Sequence, residues 1–210
     1  MSDIFIGLDP GARGALAAIG ADRSVYIAEF FPVVKIPKKP KRVKKKDKKT
    51  GEITTVTQQG EKTEFFFAGV ASLFDRVAAL PGTKVAALED VASMPRDSVT
   101  GAFTFGGSFW ALQMALADRR ISYEKVKPQA WQGVMLNGVY SGDDKARRKA
   151  YLAVARQMFP SVDLRLAKHA EVAAALLLAE YCRRLFVHGL PIAPPSKKKS
   201  KSKSKSTADK

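Results

Sequence analysis

The sequence predicts an α/β fold with a central five-stranded mixed sheet flanked by helices. Near the start, three strand-like segments follow one another, beginning at Ile4, Ala15 and Ser24, and short turns between them predict an antiparallel meander. Two further apolar segments, 84–88 and 121–126, each follow a helical pattern, and a helix between strands favours parallel pairing. The expected sheet therefore has three antiparallel strands followed by two parallel strands, with 84–88 beside the first strand.

Length and composition favour one domain with a full core in a reducing compartment. The chain has 210 residues and a single cysteine, Cys182, which falls in an apolar helical pattern and is expected in the core. No apolar run reaches about 18 residues, so no membrane span is expected. The start also lacks a signal-peptide pattern. We expect a cytoplasmic protein.

Positive charge is concentrated in two segments. The net charge is +16, of which residues 35–49 carry +9 and residues 196–210 carry +6, so the remaining chain is nearly neutral. Such segments attract polyanions, most commonly nucleic acid, although a solvated tail that aids solubility is the alternative. We expect residues 1–190 to form the domain and 191–210 a disordered Lys/Ser-rich tail.

The first basic segment interrupts the domain. Its charge and its prolines, Pro37 and Pro40, predict a mobile loop at 35–49, with a short edge strand at 53–57. Together they would form a basic insertion over 35–63. Its candidate DNA contacts are Lys44, Lys45 and Lys46.

Two buried strands deliver carboxylates to what should be one edge of the sheet. Asp9 ends the first strand and precedes a Pro-Gly-x-x-Gly turn, and Glu89 and Asp90 follow strand 84–88. Two neighbouring carboxylates repel each other unless one is protonated or a cation bridges them, which favours a divalent metal. The alternatives are a turn-capping Asp and an independent surface Glu.

Three later segments carry further candidates. Phe103 is expected to be exposed, whereas Phe105 fits either the core or base stacking. A helix over 145–158 has a basic face that suits a phosphate backbone or simply solvent. The last helix, over 166–186, has Glu171 in its first turns, where it would reach the sheet edge, and His169 nearby as a surface or capping residue.

The order of these features resembles the RuvC-type Holliday-junction resolvases, in particular their phage and RuvC-like branch, within the RNase H-like superfamily. Six blocks between residue 4 and about residue 186 carry the resemblance: Ile6–Ala15, Ala87–Val91, Phe103–Gly106, Val126–Trp131, Met158–Pro160 and Ala173–Tyr181. No single block is specific for this family, but the order and spacing of the six blocks are. The resemblance implies an RNase H-like fold and a homodimer that cuts symmetric strands of four-way and other branched DNA. It also implies that the cytoplasm is that of a bacterium or of a phage-infected host cell.

The resemblance also implies a site with two Mg²⁺ ions, which Mn²⁺ can replace, held by acidic residues on strand one, strand four and the last helix. Carried over, Asp9, Glu89 and Glu171 are ligands, while position 174, where an acid is expected, is Ala174. Lys145 matches a lysine near the scissile phosphate, and Asp90 and His169 are further candidates. The implied DNA contacts are Arg13, Phe103, Phe105, Lys127, Lys145 and Arg148.

Ala174 leaves several interpretations open. The site is either complete with three acidic ligands or inactivated by replacement of an acid. A further alternative is a non-catalytic protein that binds branched DNA with the same fold. An actin-like or sugar-kinase ATPase shares the glycine-containing hairpin, but it needs two such domains and a second phosphate loop.

Overall fold

The structure is a computed structural model that describes residues 3–11, 13–46, 51–92, 98–136 and 143–189. Its strands are β1 (Ile4–Asp9), β2 (Ala15–Gly20), β3 (Val25–Phe30), β4 (Val33–Pro37), β5 (Lys41–Lys46), β6 (Ile53–Gln58), β7 (Glu61–Phe65), β8 (Lys84–Glu89) and β9 (Ser122–Val126). Its helices are α1 (Phe67–Ala78), α2 (Val99–Asp118), α3 (Pro128–Met135), α4 (Asp144–Met158) and α5 (Ala170–His188), and a 3₁₀ turn (Ala167–His169) precedes α5.

The central sheet has the strand order β3-β2-β1-β8-β9. β1 pairs with β2 and β2 with β3 in antiparallel fashion, whereas β8 runs parallel to β1 and β9 parallel to β8. The predicted α/β fold class, a mixed sheet of three antiparallel and two parallel strands flanked by helices, is confirmed. Because Leu8 lies opposite Leu88 in the parallel register, β1 and β8 end at the same edge.

The basic segment forms paired strands, so its interpretation as a mobile loop was wrong over 35–46. β4 pairs with β7, and β5 pairs with β6, both antiparallel. The lysines of β5 lie opposite a strand rich in β-branched residues, and Val43 lies opposite Val56. Residues 47–50 and the tail from 190 onward lie outside the described residues. We call residues 33–46 and 51–65 the basic hairpin.

Pairing in the basic hairpin also shifts two boundaries. The third strand ends at Phe30 rather than Val34, since β4 begins a separate ladder at Val33. The first helix begins at Phe67 rather than at Glu64, because β7 extends to Phe65.

Helix α5 packs directly on the centre of the sheet. A Cβ atom at Gly7 would lie 2.1 Å from the carbonyl oxygen of Ala175, so only glycine permits this approach. α5 covers one face of the sheet together with α3 and α4, and α1 and α2 cover the other. Cys182 lies in the core as predicted, and burial raises the pKa of its thiol to about 12.

The second half of α5 is fixed by one buried carboxylate. Glu180 accepts hydrogen bonds from Arg183 (2.7 Å), Arg184 (2.9 Å) and Arg23 (2.9 Å). Burial would raise the pKa of Glu180, but these hydrogen bonds outweigh it and hold the pKa at about 2. The cluster joins α5 to the turn after β2.

No helix in the described part of the chain is both long enough and apolar enough to cross a lipid bilayer.

Candidate active site

The ends of β1 and β8 open into a cleft of about 330 Å³, which we call the carboxylate cleft. Asp9, at the end of β1, and Glu89, at the end of β8, both line it, and their side chains are hydrogen-bonded to each other. The parallel register of the two strands places them side by side, as the sequence predicted.

Helix α5 supplies the other wall. Glu171 and Ala174 lie one turn apart on α5, and both line the carboxylate cleft. The side chain of Glu171 is 14% exposed, and its Oε1 lies 2.5 Å from Nη2 of Arg148 on α4. An acidic side chain at position 174 would enter the same cleft as the three carboxylates.

The cleft makes ionisation of its central pair costly. Burial, followed by the charges of Glu89 and Glu171, raises the pKa of Asp9 well above its usual range. Burial also raises the pKa of Glu89, although a hydrogen bond from Trp131 and the charge of Arg147 offset part of this effect. The pair therefore retains a proton at a pH where isolated carboxyl groups have lost theirs, and a divalent cation would replace that proton.

Sequence reasoning assigned no role to Trp131, which holds Glu89 in place. Pro128 begins α3, and one turn later the buried Trp131 donates a hydrogen bond of 2.9 Å from Nε1 to Glu89 Oε1. Its ring stacks on Tyr151 at 5.3 Å between centroids, and Tyr151 accepts a hydrogen bond of 2.8 Å from Gln132. The Lys-Pro-Gln-Ala-Trp block carried the signal, since a buried indole needs an acceptor for its N–H.

Arginines form the rim of the carboxylate cleft. Arg13, Arg147 and Arg148 all line it, and Arg147 also pairs with Asp144 at the start of α4. Arg13 and Arg148 were predicted; Arg147 was not singled out as a site residue. These guanidinium groups suit a phosphate, which they bind with a planar fork of donors.

The remaining predicted residues lie outside the lining of this cleft. Lys145 is exposed in the first turn of α4, and Lys127 is the exposed residue before α3. The amide of Asp90 donates to the carbonyl of Val126 at 2.7 Å. The His169 ring lies 6.2 Å from that of Phe30, and its buried Nδ1 has no hydrogen-bond partner among the described residues.

Phe105 and Phe103 occupy different environments on α2. Phe105 is half-buried, and a Cβ atom at Gly11 would lie 3.7 Å from its ring, so it borders the carboxylate cleft. Phe103 is 84% exposed, as predicted. On the basic hairpin, Lys44 is exposed, and Lys45 and Lys46 follow it on β5.

The donors in the carboxylate cleft fit a hard cation. In the described ranges, no group of three or more His, Cys, Asp and Glu side chains is arranged to hold a metal ion, and Glu171 is engaged by Arg148. Asp9 and Glu89 nevertheless supply two adjacent carboxylates with oxygen atoms only. Mg²⁺ is commonly bound by one or two carboxylates together with substrate phosphates, so the pair matches its chemistry.

Known proteins with a similar chain path are junction resolvases. A Thermus thermophilus RuvC structure in complex with a Holliday junction substrate is 12% identical, with a TM-score of 0.45 over 88% of this chain and 96% of the other. Another Thermus thermophilus RuvC structure is 15% identical, with a TM-score of 0.44 over 86% and 95% of the two chains. The fowlpox virus Holliday junction resolvase is 11% identical, with a TM-score of 0.39 over 85% and 95%.

The chain is structurally similar to RuvC-type resolvases. No protein-family model matches the sequence, and no curated protein matches it. Likeness at such low identity does not define an activity, which the site residues have to support.

Proposed function

We propose that the chain is a divalent-metal-dependent endonuclease that cleaves four-way and other branched DNA. The observation that carries the proposal is the pair of Asp9 and Glu89, which meet at the ends of adjacent parallel strands and share a hydrogen bond in a cleft rimmed by arginines. A costly buried carboxylate pair of this kind is typical of functional sites.

The residues of the carboxylate cleft divide the chemistry between them. When bound to Asp9 and Glu89, with Glu171 as a third ligand, two Mg²⁺ ions would lower the pKa of a water and stabilise charge on the leaving oxygen. Trp131 orients Glu89 through the indole hydrogen bond. Arg13 and Arg148 are placed to bind the scissile phosphate. Arg148 would then release Glu171 and bind the phosphate instead.

Branched DNA as the substrate is supported by charge and by the resemblance of the sequence blocks. The basic hairpin adds exposed lysines such as Lys44 to a nearly neutral domain, and lysines that neutralise phosphates supply most of the affinity for DNA. The proposal includes DNA contacts by Lys145 and Lys127, which are exposed outside the carboxylate cleft.

We also propose that the active species is a homodimer. Trp110 is 65% and Met114 66% exposed, one turn apart on α2, and large exposed apolar side chains next to each other mark interaction surfaces. A four-way junction has two equivalent strands to cut, which suits a two-fold dimer. Sedimentation of wild type and of Trp110→Ala would test this, and we expect the variant to shift toward monomer.

The test of the nuclease proposal is cleavage of an end-labelled four-way junction. We expect symmetric nicks with Mg²⁺ or Mn²⁺, none with EDTA, and none with Glu89→Gln in any of these buffers. A linear duplex of the same sequence is the matched control substrate and should be cut far more slowly. Cleavage that persists in EDTA, or that Glu89→Gln leaves unchanged, would contradict the assignment of the site.

A second candidate, a non-catalytic protein that binds branched DNA, is favoured by two observations. Ala174 lines the carboxylate cleft where the resemblance implies an acid, and Glu171 already forms an ion pair with Arg148. Tight junction binding without cutting in Mg²⁺ would support this candidate over the first.

A further inference from the structure

A second, larger cleft of about 870 Å³ lies between the basic hairpin and the start of α2, and we call it the hairpin groove. Lys38, Lys41 and Lys62 line it from the basic hairpin, and Phe67 at the start of α1 and Phe103 on α2 line it as well. We propose that the hairpin groove binds unpaired nucleotides of a DNA strand, with the lysines on its phosphates and the two phenylalanine rings on its bases.

The lysines give the groove its charge. Lys38 follows β4 and Lys41 begins β5, and neither forms an ion pair within the described ranges. Lys62, on β7, lies 2.6 Å from the carboxylate of Glu64, which also lines the groove. Two lysines without acidic partners on one wall attract an anionic chain. The positive end of the 20-residue helix α2 opens on the same space.

The aromatic side chains are unusually exposed. Phe67 is 62% exposed at the start of α1, and Phe103 is 84% exposed in the second turn of α2. Neither belongs to the buried core, to which the same two helices contribute residues such as Phe74 and Leu112. Exposed rings beside a basic groove are the arrangement by which proteins stack the bases of single strands. A duplex keeps its base faces inside and offers these rings no partner.

The groove lies next to the carboxylate cleft. Phe105 lines the hairpin groove, and its ring lies over Gly11, which lines the carboxylate cleft. A strand with one phosphate beside Asp9 would therefore lead past Phe105 into the groove. This inference rests on the proposed function for its ligand, because a branch point is where an enzyme of this kind meets unpaired bases. It assigns a role to the basic hairpin, which lies outside the blocks that carry the resemblance.

The experiment measures binding of the full-length chain to labelled oligonucleotides by fluorescence anisotropy in EDTA. Three probes are compared: an oligothymidylate of about 12 nucleotides, an abasic oligomer of the same length and a duplex. The aromatic variants are Phe67→Ala and Phe103→Ala, with Phe186→Ala as the matched control, since Phe186 is 54% exposed but lies on α5 outside the groove. The charge variant is Lys38→Ala/Lys41→Ala, with Lys125→Ala as the control.

Wild type should bind the oligothymidylate more tightly than the abasic oligomer. Each aromatic variant should weaken oligothymidylate binding roughly 5- to 100-fold and leave abasic binding unchanged, because stacking contributes through the bases alone. The double lysine variant should weaken both single strands and flatten the dependence of log affinity on log salt by roughly 0.7 per lysine. Phe186→Ala and Lys125→Ala should resemble wild type.

Three results would overturn the inference. Equal binding of the oligothymidylate and the abasic oligomer would show that no base is stacked. If Phe67→Ala and Phe103→Ala bind the oligothymidylate as tightly as Phe186→Ala does, the two rings do not contact the strand. If these variants lose as much affinity for the duplex as for the oligothymidylate, the groove binds a duplex arm instead. Since the assay contains no divalent metal and detects no cleavage, its failure and a failure of the nuclease proposal are separate results. Melting temperatures of the variants verify that each remains folded.

Discussion

Replacing Asp9 with asparagine should stabilise the protein in the absence of metal while removing its cleavage activity. In the carboxylate cleft, Asp9 is half-buried and faces the carboxylates of Glu89 and Glu171. Burial, followed by the charges of these two groups, raises the pKa of Asp9. Asparagine keeps the shape of the side chain and can donate a hydrogen bond to Glu89 without any charge. Functional sites often carry such strain, and relieving it increases stability at the expense of activity.

The size of the effect follows from the contact between the two carboxylates. Two unit charges about 4 Å apart repel by about 4 kcal/mol at the effective dielectric constant of about 20 that describes such sites. The wild-type pair avoids part of this repulsion by retaining a proton, so the gain from Asp9→Asn should be smaller, about 1–3 kcal/mol at pH 8. For a chain of this length, that corresponds to a rise in Tm of roughly 2–10 °C.

The pH dependence has a defined sign. Because folding raises the pKa of Asp9, its proton stabilises the folded state fully below the unfolded value of 3.8, and this contribution is lost as the pH rises through the folded value. The Tm of Asp9→Asn minus that of wild type should therefore be near zero at pH 4 and should increase toward pH 8. Added Mg²⁺ should raise the Tm of wild type at pH 8 and leave that of the variant nearly unchanged.

Differential scanning fluorimetry between pH 4 and 8, in EDTA and in Mg²⁺, measures all of these quantities at once. Asp90→Asn is the matched control, since it removes an acid that follows Glu89 at the end of β8 but does not line the carboxylate cleft. It should give no gain in Tm. A Tm of Asp9→Asn at or below that of wild type at pH 8 in EDTA would refute the view that the carboxylate pair is strained.

Three further variants test other parts of the structure. Ala174→Asp should increase junction cleavage by orders of magnitude if the chain lacks one ligand, and an unchanged rate would exclude that deficit. Trp131→Phe removes the hydrogen-bond donor to Glu89, and this loss raises the pKa of the Glu89 carboxyl. The acidic limb of the pH–rate profile should therefore move to higher pH. Cleavage should be roughly tenfold slower at pH 6 and unchanged at pH 9. Glu180→Gln should lower the free energy of unfolding in urea by about 2 kcal/mol, less than a fully enclosed ion pair because one arginine partner is half exposed. That loss should be fully present above the ordinary value of 4.5 and should disappear as the pH falls toward 2.

The carboxylate pair was predictable from the sequence because its position depends on strand order alone. An apolar strand that ends in an acid, repeated after a helical segment, places Asp9 and Glu89 at one edge whatever the details of packing. The arginines at the cleft were harder to predict, since the rotation of α4 about its axis decides which basic residues face inward. Arg147 and Arg148 line the cleft and Lys145 does not, although all three belong to one basic run.

The basic hairpin shows the opposite limitation. The charge and prolines of residues 35–49 argued against packed structure, and only the strand at 53–57 was predicted. In the ladder of β5 and β6, every basic residue of β5 lies opposite an uncharged residue of β6, such as Lys44 opposite Thr55, so repulsion across the pair is small. Pairing of this kind depends on contacts between segments that local propensity does not describe.

Packing explains two of the three alanines at positions 173–175 and leaves the third to the site. Ala175 is fully buried where α5 crosses Gly7, and a Cβ atom at Gly7 would lie 2.1 Å from its carbonyl oxygen, so helix and sheet are in close contact here. Ala173 is fully enclosed in the core, whereas Ala174 lines the carboxylate cleft beside Glu171. A larger side chain at 174 would therefore extend into the cleft rather than into the sheet. For this reason Ala174→Asp should fold, and its cleavage rate should report on the chemistry of the site rather than on damage to the core.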